Sequence, residues 1–244
     1  NASDNRFLMN RRGYLFATSD IKQVDNFAAQ ALEAQSLGAG PLRRIGNGTA
    51  YVPAAPEGYE SNLDGADLIT DRAMITEHFP YLNSSTVAVL HARRCGSLSA
   101  QQLGMYLLEE ARSKGVEFRT AAFAGIETSG GRISGVGLRT EAGEESVDCA
   151  ALIISAGPCL KEAAALAGTD LPVQVEKHIK ISLPDPEGAV PRTAPLIIWT
   201  DPTDLPWSPE ERDALAETEE TKWLTETFPA GVHGRPVGAG DQVL

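Results

Sequence analysis

The sequence predicts a mixed α+β protein in which helices alternate irregularly with mostly antiparallel strands. Three observations carry this. Strand-forming runs recur along the chain, as in Tyr14-Leu15-Phe16-Ala17-Thr18 and Leu196-Ile197-Ile198-Trp199. Two stretches open with helix-capping serines, Ser99 and Ser208. Between them, strand-length segments are separated by Gly-containing turns, the pattern of a β-meander. With 42% apolar and 22% charged residues, the 244-residue chain can bury a core and is not of disordered composition.

Taken in order, residues 13–18 form a strand. Ser19 or Asp20 caps a helix whose apolar stripe is Ile21, Val24, Phe27, Ala31 and Leu32, and Gly38, Gly40 and Pro41 end it. Residues 45–65 read as loop, with a tight turn at Gly46-Asn47-Gly48 and breaks at Pro53 and Pro56. Residues 71–79 form a short helix stopped by Pro80, and 87–90 a strand leading to Arg93-Arg94-Cys95-Gly96. Residues 99–114 give the clearest helix, with Ser99 at its N-cap, Gln102 three residues on, one face of Leu103, Tyr106, Leu107 and Ala111, and Gly115 at its end.

The meander follows at 122–128, 133–140 and 145–149, turning at Ser129-Gly130-Gly131 and Ala142-Gly143. Ala151-Leu152-Ile153-Ile154 is a continuous apolar run, expected as a strand buried on both faces. It ends at Ser155-Ala156-Gly157, where a helix begins with Pro158 in its first turn. Residues 173–183 and 196–199 are strands. Ser208-Pro209-Glu210-Glu211 is a capping box opening a helix expected to run past Trp223, and 233–244 is turn and strand.

The formal net charge of −12 excludes nucleic acid and an anionic membrane as main partners, since both need a basic face. Glu210, Glu211, Asp213, Glu217, Glu219 and Glu220 fit a solvated helix face. Cys95, Cys149 and Cys159 are odd in number and lack CxxC spacing, which fits neither a disulfide framework nor a zinc site and points to a reducing, cytoplasmic compartment. No stretch reaches the length of a membrane span. Asn1-Ala2-Ser3 resembles a cloning scar and Gln242-Val243-Leu244 ends inside a strand, so both ends are expected to be engineered boundaries.

No GxGxxG, Walker loop, HExxH or GxSxG occurs. The informative feature is an ordered series: Gly96-Ser97-Leu98-Ser99, the long helix, Gly115-Val116-Glu117-Phe118, the meander with Gly131-Arg132-Ile133-Ser134-Gly135-Val136, then Asp148 through Gly157. This series resembles the central part of the FAD-dependent oxidoreductases related to D-amino acid oxidase, glycine oxidase and sarcosine oxidase. Gly168-Thr169-Asp170-Leu171-Pro172-Val173, Gly13-Tyr14-Leu15-Phe16-Ala17 and Phe79-Pro80-Tyr81-Leu82 resemble further landmarks of that family. Its N-terminal strand–GxGxxG–helix and its C-terminal Gly-rich flavin segment are not in the sequence.

The resemblance implies an internal fragment of a flavoenzyme that oxidises an amine or amino acid by hydride transfer to FAD, with an electron acceptor the sequence does not name. A non-catalytic assembly or binding protein keeping the fold, or a FAD-dependent hydroxy-acid dehydrogenase, remain open. It implies a substrate domain built from 1–95 and 159–244, with 96–158 a helix, meander and strand piece of the FAD-binding domain. Ser155, Ala156 and Gly157 have side chains small enough for a cofactor to approach the backbone, although an ordinary strand-to-helix turn looks the same. Phe123 stands where the family usually has a Val near the adenine; core packing is the equal alternative. His178 and Lys180 share one face of the 173–183 strand and face either substrate and flavin or solvent, with Ile179 and Ile181 toward the core. Arg235 either clamps a carboxylate or pins a loop, and Trp199 and Trp207 either wall a site or fill core. Without the missing helix N-terminus and Gly-rich turn, this chain is expected to be inactive and to hold FAD weakly or not at all.

Overall fold

The structure, a computed structural model, describes residues 4–46, 48–60, 63–238 and 240–244. The expected scar at Asn1-Ala2-Ser3 and the middle of the Gly46-Asn47-Gly48 turn lie outside the described residues. In chain order the elements are β1 (Tyr14–Thr18), α1 (Gln23–Ser36), β2 (Leu42–Ile45), β3 (Ala66–Ile69), α2 (Arg72–His78), β4 (Ala88–Ala92) and α3 (Ala100–Ser113). Then come β5 (Ala122–Ser129), β6 (Arg132–Thr140), β7 (Gly143–Asp148), α4 (Leu160–Leu166), β8 (Leu183–Pro184), β9 (Leu196–Trp199), α5 (Pro209–Ala216), β10 (His233–Gly234) and β11 (Gln242–Val243). The fold is mixed α+β. The chain divides into two compact units, Asn1–Leu107 with Lys180–Leu244, and Leu108–Ile179.

The first unit is built on a six-stranded sheet of order β10-β9-β1-β4-β3-β2. Pairings β1–β4, β3–β4 and β9–β10 are antiparallel, while β1–β9 and β2–β3 are parallel. Because side chains alternate along a strand, the sheet buries two faces. One carries Leu15, Ala17, Ile69 and Val89 against Ile75 and Phe79, with Trp199 packed at its margin. The other carries Leu68, Ala88 and Leu90 against Phe27, Ala28 and Ala31 of α1.

The buried stripe of α1 is Phe27, Ala28 and Ala31 with Val24 packed alongside, a spacing that keeps one helical face toward the sheet. Ile21 and Leu32, expected in that stripe, are exposed. Ile21 precedes the helix, since Asp20 Oδ1 accepts from the Lys22 amide and delays the start to Gln23. Leu32 lies one residue, about 100° of rotation, off the buried face. α2 begins as expected, with the Asp71 carboxylate accepting from the Ala73 and Met74 amides.

The second unit contains the end of α3, the antiparallel β5-β6-β7 meander and α4, which buries Ala163 and Ala164. Its hairpins turn where the sequence places them, Gly130 and Gly131 having φ of 58° and 76°. α3 buries none of its residues.

Four further expectations need correction. Residues 42–45 and 66–69, read as loop or left unassigned, are β2 and β3. Each is only four residues long, and their arginines and Asp67 hide the apolar pattern. Residues 151–154 form no strand, and Ile153 is 88% exposed. A strand buried on both faces needs neighbours to pair with and layers to cover it, and none of the described residues supplies them. The same reason holds for 173–182, which lacks regular structure and leaves Ile179 and Ile181 exposed instead of core-facing. The helix opened by Ser208 has its full capping box but stops at Ala216, with a separate 3-10 turn at Lys222–Thr225. Thr221 Oγ1 donates to the Leu215 carbonyl at 2.7 Å, and the acidic 217–220 stretch opposes the dipole of a helix C-terminus.

Candidate functional site

The N-terminal end of β1 brings together a buried polar network and a surface cleft, both within the first unit. The network lies on the Leu15 face of the sheet, where β3 contributes Asp67 and β4 contributes His91, with Arg93 just beyond. All three side chains are fully buried. Asp67 accepts from Arg43 Nε at 2.5 Å and from Nε and Nη2 of Arg93. Arg93 also donates to the Val52 carbonyl at 2.6 Å, and its guanidinium lies 4.8 Å from the centre of the Tyr51 ring. An aspartate buried this deeply is tolerable only with such compensation.

Tyr51 and His91 continue the network. His91 Nε2 lies 2.7 Å from the Arg12 carbonyl and Nδ1 lies 2.8 Å from the Tyr51 hydroxyl. A carbonyl only accepts, so Nε2 carries the proton and Nδ1 accepts from the phenol. Burial, helped by the Arg93 charge, holds His91 down at about 4, so the ring is neutral near pH 7. Burial pushes the Tyr51 hydroxyl up to about 12 despite the opposing Arg93 charge. Gly13 makes the arrangement possible. Its φ is 93°, and a β-carbon there would overlap the His91 ring and the Ala92 carbonyl.

The cleft encloses about 40 Å³ and is lined by Asn10, Arg12, Ser97, Leu196, Arg235 and Pro236 among others. That is room for a few waters or one group of carboxylate size. Asn10 and Ser97 form its rim through reciprocal main-chain bonds and an Asn10 Nδ2 to Ser97 Oγ bond of 3.0 Å. Arg12 donates from Nε to Pro56 O and from Nη1 to Arg192 O, both at 2.6 Å. Burial lowers its pKa, Glu57 works against that, and the neighbouring Arg192 lowers it further. Arg235 is half-buried, and its side chain has no hydrogen-bond partner among the described residues.

Of the candidate site residues named from the sequence, Arg235 alone lines this cleft. Phe123 is half-buried on β5 opposite Leu138. Ser155 and Gly157 are exposed and Ala156 half-buried; Gly157 has φ 53° with open space where a β-carbon would stand. His178 and Lys180 are exposed on an irregular segment, His178 lying 3.8 Å from Glu176. Trp199 packs against the core, and Trp207 donates from Nε1 to the Leu224 carbonyl at 2.9 Å. The three cysteines are free. The described residues contain no cluster of three or more His, Cys, Asp or Glu able to hold a metal, and no helix long and apolar enough to cross a membrane.

Sequence reasoning missed Arg12, Tyr51, Asp67 and His91. For Arg12 a signal was present, the Arg11-Arg12 pair directly before a glycine and a strand. The other three are scattered along the chain: the β3–β4 register sets Asp67 opposite His91, and Tyr51 reaches His91 from a loop.

The profile of the FAD dependent oxidoreductase family matches residues 4–207. No curated protein sequence matches the chain. Among solved structures, glycine oxidase from Bacillus cereus ATCC 14579 is similar with a TM-score of 0.57 at 10% identity, covering 98% of this chain and 50% of that one. L-proline dehydrogenase from P. horikoshii is similar with a TM-score of 0.55 at 17% identity, covering 81% of this chain and 46% of that one. At such identities the likeness establishes the fold, and the chain spans about half the length of these structures. The profile match, covering most of the sequence, shows that the chain belongs to the FAD dependent oxidoreductase family.

Proposed function

We propose that the chain is an interior part of a longer flavoenzyme that oxidises an amine or amino acid, passing a hydride to FAD. The family match over residues 4–207 carries this reading. Likeness to solved structures of a glycine oxidase and an L-proline dehydrogenase supports an amino-acid substrate, and their greater length supports a larger parent protein. The division of labour follows the family pattern, with 96–158 on the cofactor side and 1–95 and 159–244 on the substrate side.

The residues present fit part of a FAD site. Ser155, Ala156 and Gly157 form a turn of small side chains, and the left-handed φ of Gly157 leaves open space that a β-carbon would otherwise occupy. Phe123 is the aromatic assigned to the adenine side. FAD, when bound, supplies the hydride acceptor. The protein's part is to orient the substrate, and Arg235 presents an uncommitted guanidinium suited to bidentate pairing with a carboxylate. His178 and Lys180 enter as exposed cations on the substrate side. No side chain is assigned as general base.

The test uses the full gene. Purified protein should carry flavin absorbance, and anaerobic addition of amino acids or amines should bleach it. Arg235→Met should raise KM for amino acids roughly tenfold or more while sparing amines that lack a carboxylate. Bleaching by hydroxy acids alone, or protein free of flavin, would overturn the proposal.

A further inference from the structure

We propose that Tyr51 and His91 are positioning residues that fix Arg12 for binding a carboxylate in the cleft it lines with Arg235. This rests on reading that cleft as the place of the substrate's carboxylate.

Two guanidiniums line the cleft in different states of commitment. Arg235 has no hydrogen-bond partner among the described residues. Arg12 uses Nε and Nη1 on the Pro56 and Arg192 carbonyls, which leaves Nη2 uncommitted among the described residues. Tethered at two donors, Arg12 is an oriented arm rather than a free one, so a carboxylate meeting Nη2 finds most of its ordering entropy already spent. Burial and the nearby Arg192 both disfavour the charge on Arg12, and an anion in the cleft relieves that cost.

Where this arm stands depends on its main chain, which His91 holds through the 2.7 Å bond from Nε2 to the Arg12 carbonyl. The next residue, Gly13, donates its amide to the Cys95 carbonyl at 3.0 Å, so the strand entry is fixed from β4 and from the loop beyond it. The bond from His91 exists only in one tautomer. The carbonyl selects that tautomer, and Tyr51 holds the ring in place by donating to Nδ1 at 2.8 Å; the Tyr51 ring is itself held beneath the Arg93 guanidinium that clamps Asp67. Without the phenol proton, Nδ1 becomes an unpaired acceptor inside the protein. With one of its two anchors gone the ring is free to tilt, and the Nε2–H bond to the Arg12 carbonyl loosens. His91 does not act by charge, because it stays neutral across the physiological range.

The test needs no flavin. In ¹⁵N-labelled chain, nitrogen shifts should report His91 as the Nε2–H tautomer. Acetate, as the probe, should move the Nε–H signals of both Arg12 and Arg235. Tyr51→Phe should weaken acetate binding about tenfold, the size expected for losing one buried hydrogen bond. His91→Leu should weaken it at least as much. His91→Gln should restore it to within about threefold, since the amide nitrogen can donate to the Arg12 carbonyl in place of Nε2. Amide dispersion of β1 and β4 shows that each variant is folded. Equal acetate affinity in wild type and Tyr51→Phe overturns the positioning role while leaving the cleft as a carboxylate site. Absence of any acetate response at Arg12 and Arg235 overturns both. An Nδ1–H tautomer in wild type overturns the positioning role even if every variant fails to fold.

Discussion

The two units of this chain treat the same raw material differently. In the first, Leu15, Ala17, Ile69, Ala88 and Val89 are wholly removed from water, and polar Asp67, His91 and Arg93 are buried with them. In the second, three well-formed antiparallel strands and a helix leave nearly all their residues exposed or only partly buried, with Ala163 and Ala164 the buried apolar side chains among the described residues. The meander is made by neighbours in sequence, whose hairpins close over short turns at small entropic cost. The mixed sheet is made by strands far apart in sequence, Tyr14 pairing with Leu196, and such pairings hold only when burial rewards them. Local pattern therefore decides whether a segment is a strand, while distant partners decide whether it is core.

That contrast predicts where substitutions will hurt. The largest effect is expected for Asp67→Ala, which strips two arginines of their shared carboxylate. Removing one partner of a buried pair costs about 3–5 kcal/mol, so chemical denaturation should show the first unit unfolding at much lower denaturant. Gly13→Ala comes next, at roughly 3 kcal/mol from left-handed strain plus overlap with His91. Gly130→Ala, also at positive φ but facing open space, should cost about 1 kcal/mol. If the two glycines prove equally sensitive, the contrast between the units fails.

Acidification separates the units again. His91 is held at about 4 when folded and returns toward about 6.5 when unfolded, so below neutrality the unfolded chain binds the extra proton. Its contribution is complete above about pH 6.5 and is lost as pH falls toward 4, reaching about 2 kcal/mol at pH 5. Hydrogen exchange of β1 and β4 amides should quicken accordingly between pH 7 and 5, once the intrinsic rate is corrected. The β6 amides should not follow, because His91 belongs to the first unit and β6 to the second. The smallest effect belongs to Arg139→Ala, which breaks an exposed pair with Glu144 and should change stability by less than about 0.5 kcal/mol.

What the sequence made legible follows the same division. The Ser208 cap, the short helix ending before Pro80, the Gly130-Gly131 hairpin and the strand at Tyr14 depend on residues within a few positions of one another. The run 151–154 and the alternation of 173–183 look as good on paper, yet their patterns describe burial that the described residues do not provide. β3 shows the converse: Asp67 breaks its apolar run, and only Arg43 and Arg93 arriving from elsewhere make that position interior. Arg235 was named from the sequence as either a carboxylate clamp or a loop pin; its cleft neighbour Arg12 and the Tyr51–His91 pair were not, because a loop residue and a β4 residue forty positions apart meet only in the folded chain.

The sheet order also sets a timetable for synthesis. β1 lies between β4 and β9, so its first partner is complete by Ala92 but its second only at Trp199. On a ribosome that interval lasts on the order of ten seconds, during which the nascent sheet carries an open edge along Leu15 and Ala17. An open edge of this kind is a template for joining other chains. The residues made meanwhile include the meander, which needs no distant partner and can fold while the sheet waits. Yield of correctly folded protein should thus depend on temperature and chaperones during translation more than on final stability.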